Sequence, residues 1–407
     1  MTHHDYDLII AGGGMVGASL ACALLHENLR IALIESVPRK ADAQPSYDDR
    51  GLALSMSSRR ILQKLELWLQ VAPNATAIRR IHVSDRGHFG CVRLRAEDLQ
   101  VDALGHVVIA RDLGQALLQK LSQAGMVDVI CPAQVGDISV AHDAVTVTTS
   151  GEARAGKLSG RLLVIADGAD SNLRRQLGIE TFVKDYQQTA IVTNVTLGRP
   201  HTNTAYERFT ETGPIAVLPL NAQRGVLVYT VPTAAAETYL HLEQSAFLDL
   251  LWQRFGRRLG RFSDMGALKI YPLRLVLSRQ QVLSRIVLLG NSAHTIHPNG
   301  AQGFNLCLRD VAALAEHLLL ASHRDADIGA PEVLAGYLAS RQPDQQRVTQ
   351  FSDRLTKLFY NQQCSKVMLR NTAMLITDLI PYLKRELIRQ ALGISGRQPA
   401  MVSGSWD

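Results

Sequence analysis

The segment Gly12-Gly13-Gly14-Met15-Val16-Gly17 constrains this chain more than any other feature. It follows Leu8-Ile9-Ile10, a short run of buried-strand type. It opens Met15 to His26, where small and apolar residues recur at helical spacing. Ile31-Ala32-Leu33-Ile34 supplies a second strand, so the opening reads as a βαβ unit with Gly12-x-Gly14-x-x-Gly17 at its first turn. Gly12 permits the tight turn, Gly14 lets the backbone approach a pyrophosphate, and Gly17 permits close helix–sheet packing. Met15 and Val16 begin a helix whose free N–H groups and dipole favour an anion. Glu35 ends the second strand, where a carboxylate accepts a ribose hydroxyl and repels a 2′-phosphate. The expected ligand is an adenosine dinucleotide such as FAD or NAD, not NADP.

Length and charge narrow the class further. A chain of 407 residues, 46% hydrophobic and 20% charged, predicts a globular protein of two or three domains. The net charge of +6 comes from scattered Lys and Arg, which argues against a nucleic-acid partner. Five widely spaced cysteines with no CxxC pair suggest reduced thiols in the cytoplasm. Leu8 to Leu25 is apolar enough to suggest a signal peptide or a span. However, four glycines interrupt it and no positive segment precedes it, so a soluble protein is expected.

Two further constellations bear on chemistry. The run LLVIADGADSNLRR ends a buried strand in Asp167-Gly168, a carboxylate and a flexible turn at a sheet edge. A plain strand–turn–helix junction capped by Asp170 or Ser171 reads the same way. In IVLLGNSAHTIHPNGAQGFNLCLRD, a strand from Ile286 leads to Gly290-Asn291. A loop of small residues with Pro298, Gly300, Ala301 and Gly303 follows, and then a helix carrying Phe304 and Asn305. Such a loop lets backbone N–H groups approach a planar or anionic ligand. His294 and His297 lack an acidic ligand at metal spacing, so no metal is expected; loop packing competes with a proton-transfer role for both.

Between these motifs, IHVS and CVRLR predict a hairpin near 79–95, and RDLGQALLQKLSQA predicts a helix over 111–124. From about 186 to 275, strand-like segments (TAIVTNVTL, AYERFT, IAVLPL, GVLVYTV) bounded by Gly, Pro and Asn predict an antiparallel sheet. The last sixty residues read as helical. Met368, Leu375, Leu379, Leu383 and Leu387 form an apolar stripe beside Lys384, Arg385 and Arg389, and Pro381 starts or kinks a helix. This stripe either docks on its own protein or faces a membrane or partner. The tail GRQPAMVSGSWD is expected to be mobile.

Together the glycine fingerprint, the Asp-Gly motif and the Gly-Asn loop, in that order, resemble the flavoprotein aromatic hydroxylases of the para-hydroxybenzoate hydroxylase type. Arg50 in DDRGLALS and Arg111 in RDLGQALL match positions where that family places flavin-contacting arginines. The resemblance covers residues 5 to about 350. It is greatest to the ubiquinone-biosynthesis hydroxylases, especially those acting on 2-polyprenyl-6-methoxyphenol. Asn291 stands where most of the family has Asp, and Gly300-Ala301 where relatives often have Ala-Gly. The resemblance implies an α/β fold: a Rossmann-like FAD-binding domain (1–185 and 276–350) interrupted by an antiparallel-sheet substrate domain (186–275), with C-terminal helices and tail (351–407). It further implies an FAD monooxygenase using NADPH or NADH and O2, through a flavin C4a-hydroperoxide. The loop at Pro298, Gly300 and Gly303 would face the flavin. A polyprenylated phenol would be the substrate. A peripheral place on the inner membrane, or in a ubiquinone-biosynthesis complex, would suit such a substrate. A sister hydroxylase acting at another ring carbon, or a non-enzymatic flavin-binding scaffold, are the alternatives.

Overall fold

The computed structural model describes residues 4–38, 50–221 and 223–403. Its first sheet is built from the apolar runs of the βαβ opening. Tyr6–Ala11 lies parallel to Gly156–Ile165 on one side and to Ile31–Ile34 on the other, with Leu8 opposite both Leu162 and Ile31. Val127–Ile130 and Ile286–Leu288 extend the parallel sheet at either end. Strands buried on both faces need near-continuous apolar sequence, and Leu8, Ile9, Ile10, Leu162, Leu163 and Val164 are all fully buried. The Met15–Ala23 and Gln302–Ser322 helices cover one face; Val135, Val145 and Val147 from an antiparallel hairpin cover the other.

Among the described residues the second sheet has nine strands. Its spine is antiparallel: Lys269–Ser278, Thr181–Thr196, Arg224–Pro232, Gly213–Pro219 and Thr204–Thr210. The Arg80–Asp85/Cys91–Arg95 hairpin then joins parallel to Thr204–Thr210, bringing residues from far upstream into this sheet. One face is covered by the Gln244–Phe255 helix through Phe247, Leu251 and Phe255. The other face packs on a small sheet of Gly51–Ser55, Gly105–Ile109 and Thr76–Ile78 through Ala205 and Val226, and on the C-terminal helices through Phe209.

Those helices are Pro331–Tyr360, Cys364–Leu379 and Pro381–Ala391, and Pro381 starts the third as its first residue. Their burial separates the two readings of the stripe. The Cys364–Leu379 helix buries Val367, Arg370, Asn371, Met374 and Asp378, while Met368 and Leu379 are more than two-thirds exposed. Met368, Leu375, Leu379 and Leu383 of the stripe point outward, because Asp85 and the Arg93 backbone offer hydrogen bonds to the polar face instead, while Leu387 turns inward to line a cavity. The tail also differs from expectation. Met401 and Val402 are buried in the main core, and the Ala400 N–H donates to Glu316 at 2.9 Å, which fixes residues 400–403. Residues 404–407 lie outside the described residues.

Candidate active site

A cleft of 660 Å³ opens at the ends of the parallel strands. Gly12, Gly14, Met15, Val16, Glu35, Arg50, Asp167, Gly168, Asn291 and Phe304 all line it. Three crossovers far apart in sequence thus converge at one sheet edge, the usual ligand position in open α/β sheets. Gly12 adopts a φ of +111°, and a Cβ there would meet the Ala166 carbonyl oxygen at 2.4 Å. Gly17 does not reach the cleft. A Cβ on it would lie 2.0 Å from the Gly12 carbonyl oxygen, so its role is the close helix–sheet contact. No side chain caps the Met15–Ala23 helix at Gly14, so its first-turn N–H groups can serve a ligand.

Glu35 braces the turn it borders. Its carboxylate accepts the N–H groups of Gly13 and Val37, both at 2.7 Å, and keeps further lone pairs for a hydroxyl. Asp167 is open to the cleft yet enclosed by surrounding protein. That burial raises its carboxyl above the usual range, against hydrogen bonds from Ser171 and the Leu173 backbone that lower it. Gly168 has a φ of +96° and open space where a Cβ would project, leaving bare backbone in the cleft wall. Gly290 adopts +68° and packs against Val16, ahead of Asn291. Arg50 lies 4.9 Å over the Tyr271 ring, and both line the cleft.

The remaining expected residues sit elsewhere. Arg111 is exposed at the start of the Ala110–Ala124 helix and is not part of the cleft wall. Pro298 accepts the Ala301 N–H at 2.8 Å in a turn where Gly300 and Ala301 both take left-handed conformations. Gly303 follows in the first turn of the helix, facing Ile296. Asn305 is a brace: it accepts from Ser55 N at 2.8 Å and Ser58 Oγ at 2.6 Å, and donates to Ala53 O at 2.8 Å. His294 is clamped by Asp310 at 2.5 Å, and Arg341 pairs with the same carboxylate at 2.6 Å. Burial alone would raise the Asp310 pKa, but Arg341 and His294 outweigh it and hold it at about 2. His297 is buried, which lowers it to about 4, and it accepts from the Asn299 N–H. Neither histidine lines either cavity, so both hold the loop in place.

Behind this turn lies a second, apolar cavity of 300 Å³. Its walls include Ile78, Val92, Phe209, Leu355, Phe359 and Met374, drawn from the hairpin, the antiparallel sheet and the C-terminal helices. Gly300, Gln302 and Asn305 line it too, while Phe304 and Cys307 of the same helix line the polar cleft. The Pro298–Asn305 segment is therefore the partition between the two spaces. One member of the apolar wall, Glu207, has no sequence signal: in AYERFT an acidic residue reads as the solvent face of an alternating strand.

The polar cleft fits an FAD on its own features: an uncapped helix N-terminus, bare glycine backbone and a carboxylate at the second strand. Comparison with known proteins agrees. Residues 5–352 match the FAD binding domain family. The chain is 34% identical to ubiquinone hydroxylase UbiL of Rhodospirillum rubrum, over 95% of this chain and 89% of that protein. It is 30% identical to the 3-demethoxyubiquinol 3-hydroxylase of Escherichia coli, over 97% of this chain and all of that protein. The fold matches the crystal structure of p-nitrophenol 4-monooxygenase from Pseudomonas putida with a TM-score of 0.80 at 19% identity, covering 96% of this chain and 98% of that one. The chain belongs to the FAD-binding-domain family, among the flavin-dependent hydroxylases.

Proposed function

We propose that this protein is an FAD-dependent monooxygenase that hydroxylates the ring of a polyprenylated phenol in ubiquinone biosynthesis, converting a 2-polyprenyl-6-methoxyphenol to the 1,4-benzoquinol. The observation that carries this reading is the pairing of a polar dinucleotide cleft with an apolar cavity across one thin partition. Bound FAD, reduced by NADPH or NADH, would supply activated oxygen from O2 for transfer to an electron-rich ring. The chain's own part is binding, orientation and exclusion of water. The N–H groups opening the Met15–Ala23 helix would take the pyrophosphate, Glu35 a ribose hydroxyl, and Asp167 and Asn291 the ribityl end. The backbone of Pro298 to Gly303 would face the flavin ring. The apolar walls would hold the phenol ring and keep water from the reaction.

Small-molecule pockets run from about 300 to 1,000 Å³, so this cavity suits a ring and the start of its chain rather than a long tail. The Cys364–Leu379 helix lines the cavity with Ala373, Met374 and Thr377. On its outer side it exposes Met368, Leu369 and Leu379, with Tyr382 just beyond. Arg385 and Arg389 are exposed on the next helix. That surface suits a bilayer that holds the tail. No described helix is long and apolar enough to cross a membrane. Replacing Leu379 and Tyr382 with Ser is expected to weaken co-sedimentation with anionic vesicles while flavin content stays unchanged.

The 30% identity to 3-demethoxyubiquinol 3-hydroxylase over that protein's whole length favours a second reading, the sister step at another ring carbon. Mass-spectrometric profiling of quinone intermediates in cells lacking the gene separates the two. Accumulated 2-polyprenyl-6-methoxyphenol supports the first reading, and a different under-hydroxylated intermediate supports the second. An unchanged profile, with no redundant enzyme present, removes both.

A further inference from the structure

The apolar cavity contains an acid with no charged partner among the described residues. Glu207 projects from the Thr204–Thr210 strand, is half-buried by accessible area yet enclosed by surrounding protein, and lines the cavity. The backbone N–H of Gly300, inside the partition that separates the cavity from the flavin cleft, favours the charged form of Glu207. The groups around it are otherwise neutral or committed. Arg370, the other ionisable residue in the wall among the described residues, is held by Asp85 at 2.8 Å. On its own strand Arg208 points the opposite way, toward Gly256. His82 stacks against Tyr206 on that same opposite side. The paired strand Gly213–Pro219 has no titratable side chain, and the Pro331–Tyr360 helix faces the cavity with Val348, Phe351, Leu355, Leu358 and Phe359. Burial pushes the Glu207 carboxyl up to about 7. An unpaired acid in an apolar wall costs folding free energy that Leu would not. Glu207 also places the one carboxylate of the cavity wall, among the described residues, beside the partition, where Gln302 and Asn305 are the neighbouring polar side chains.

We propose that Glu207 receives the hydroxyl of the phenol bound in this cavity, first as hydrogen-bond acceptor and then as acceptor of its proton. The inference rests on the hydroxylase reading above and assigns the residue that orients the ring. The step is one proton transfer. The phenol O–H bond breaks, its electron pair stays on the oxygen and enriches the ring, and the proton forms an O–H bond on Glu207. When the hydroxylated ring regains aromaticity its C–H proton leaves to solvent, and Glu207 returns its own proton to the phenol oxygen.

The test uses oxidised, FAD-loaded enzyme without a nicotinamide donor, so that binding alone is read. 2-Geranyl-6-methoxyphenol and its O-methyl ether are titrated below and above pH 7, followed by the change in flavin absorbance. Wild-type affinity for the phenol is expected to rise about tenfold as the carboxylate forms, as for a hydrogen bond to a charged group. The ether, lacking the proton, shows no rise. Glu207→Gln keeps FAD and binds the phenol with a flat pH profile. In turnover, that variant loses the pH dependence of kcat that Glu207 ionisation imposes on the wild type. A flat wild-type profile, or an equal rise for the ether, overturns the role of Glu207 and leaves the hydroxylase reading intact. The ether comparison needs no variant, so it stands even where Glu207→Gln fails to fold. Wild type that neither binds the phenol nor consumes a nicotinamide donor in response overturns the hydroxylase reading, and this inference with it.

Discussion

The polar cleft and the apolar cavity share one partition but are made in opposite ways. The cleft is built largely from backbone and from short sequence motifs: Gly12 to Val16, Glu35, Asp167-Gly168 and Asn291 each act within a few residues of where they lie in the chain. The cavity is built from side chains that only the tertiary fold assembles, from Ala53 to Ala391. A backbone-made site tolerates few side chains at its turns, because the approach of main chains leaves no room. A side-chain-made cavity depends on whatever holds its distant walls together.

This contrast can be broken first on the cleft side. Gly12→Val places a side chain against the Ala166 carbonyl in a left-handed conformation, so the expected outcome is complete loss of bound flavin. The 450 nm absorbance of the purified protein checks it, and a yellow, folded variant contradicts it. On the cavity side, Arg370 ties the Cys364–Leu379 helix to the hairpin through Asp85, with both side chains buried, and donates to the Asn361 carbonyl at 2.6 Å. Among the described residues, Arg370→Met leaves Asp85 a buried charge with only Asn371 as a remaining side-chain partner. A stability loss of about 3–5 kcal/mol in denaturant unfolding is expected, in a protein whose cleft residues are untouched.

Arg50→Ala sharpens the comparison at a side chain the cleft does use. Because most of that site is backbone, we expect about a tenfold loss of FAD affinity by isothermal titration, with the fold unchanged. The smallest effect is at the partition. Ala301 carries a Cβ at a φ of 52°, so Ala301→Gly relieves left-handed strain and is expected to add about 0.5 kcal/mol to stability. Thermal unfolding at matched FAD occupancy measures it, and destabilisation would show that the Ala301 methyl packs better than its backbone suggests.

The same contrast explains what the sequence makes legible. The parallel strands are readable because burial on both faces demands continuous apolar runs such as LLVI and IALI. The cleft residues are readable because each motif carries its own geometry. The Gln244–Phe255 helix lies within a stretch that reads as strands, although Phe247, Leu251 and Phe255 recur four apart on its buried side. The Pro331–Tyr360 helix buries Arg341, Asp344 and Gln345, so its core-facing side lacks an apolar period. The outward turn of Met368 and Leu379 follows from buried polar partners on another strand, which no local pattern reveals. Glu207 is hidden for the same reason: only the packing of the C-terminal helices over its strand turns a surface-type residue into a cavity wall.

The central claim is that oxygen from O2, activated beside the partition, enters a phenol ring held in the apolar cavity. Purified FAD-loaded enzyme given a nicotinamide donor, 2-geranyl-6-methoxyphenol and isotopically heavy O2 tests it directly by product mass. The account predicts a dihydroxylated ring carrying one heavy oxygen atom per turnover. Donor oxidation that yields only hydrogen peroxide, or a product whose new oxygen comes from water, would contradict it.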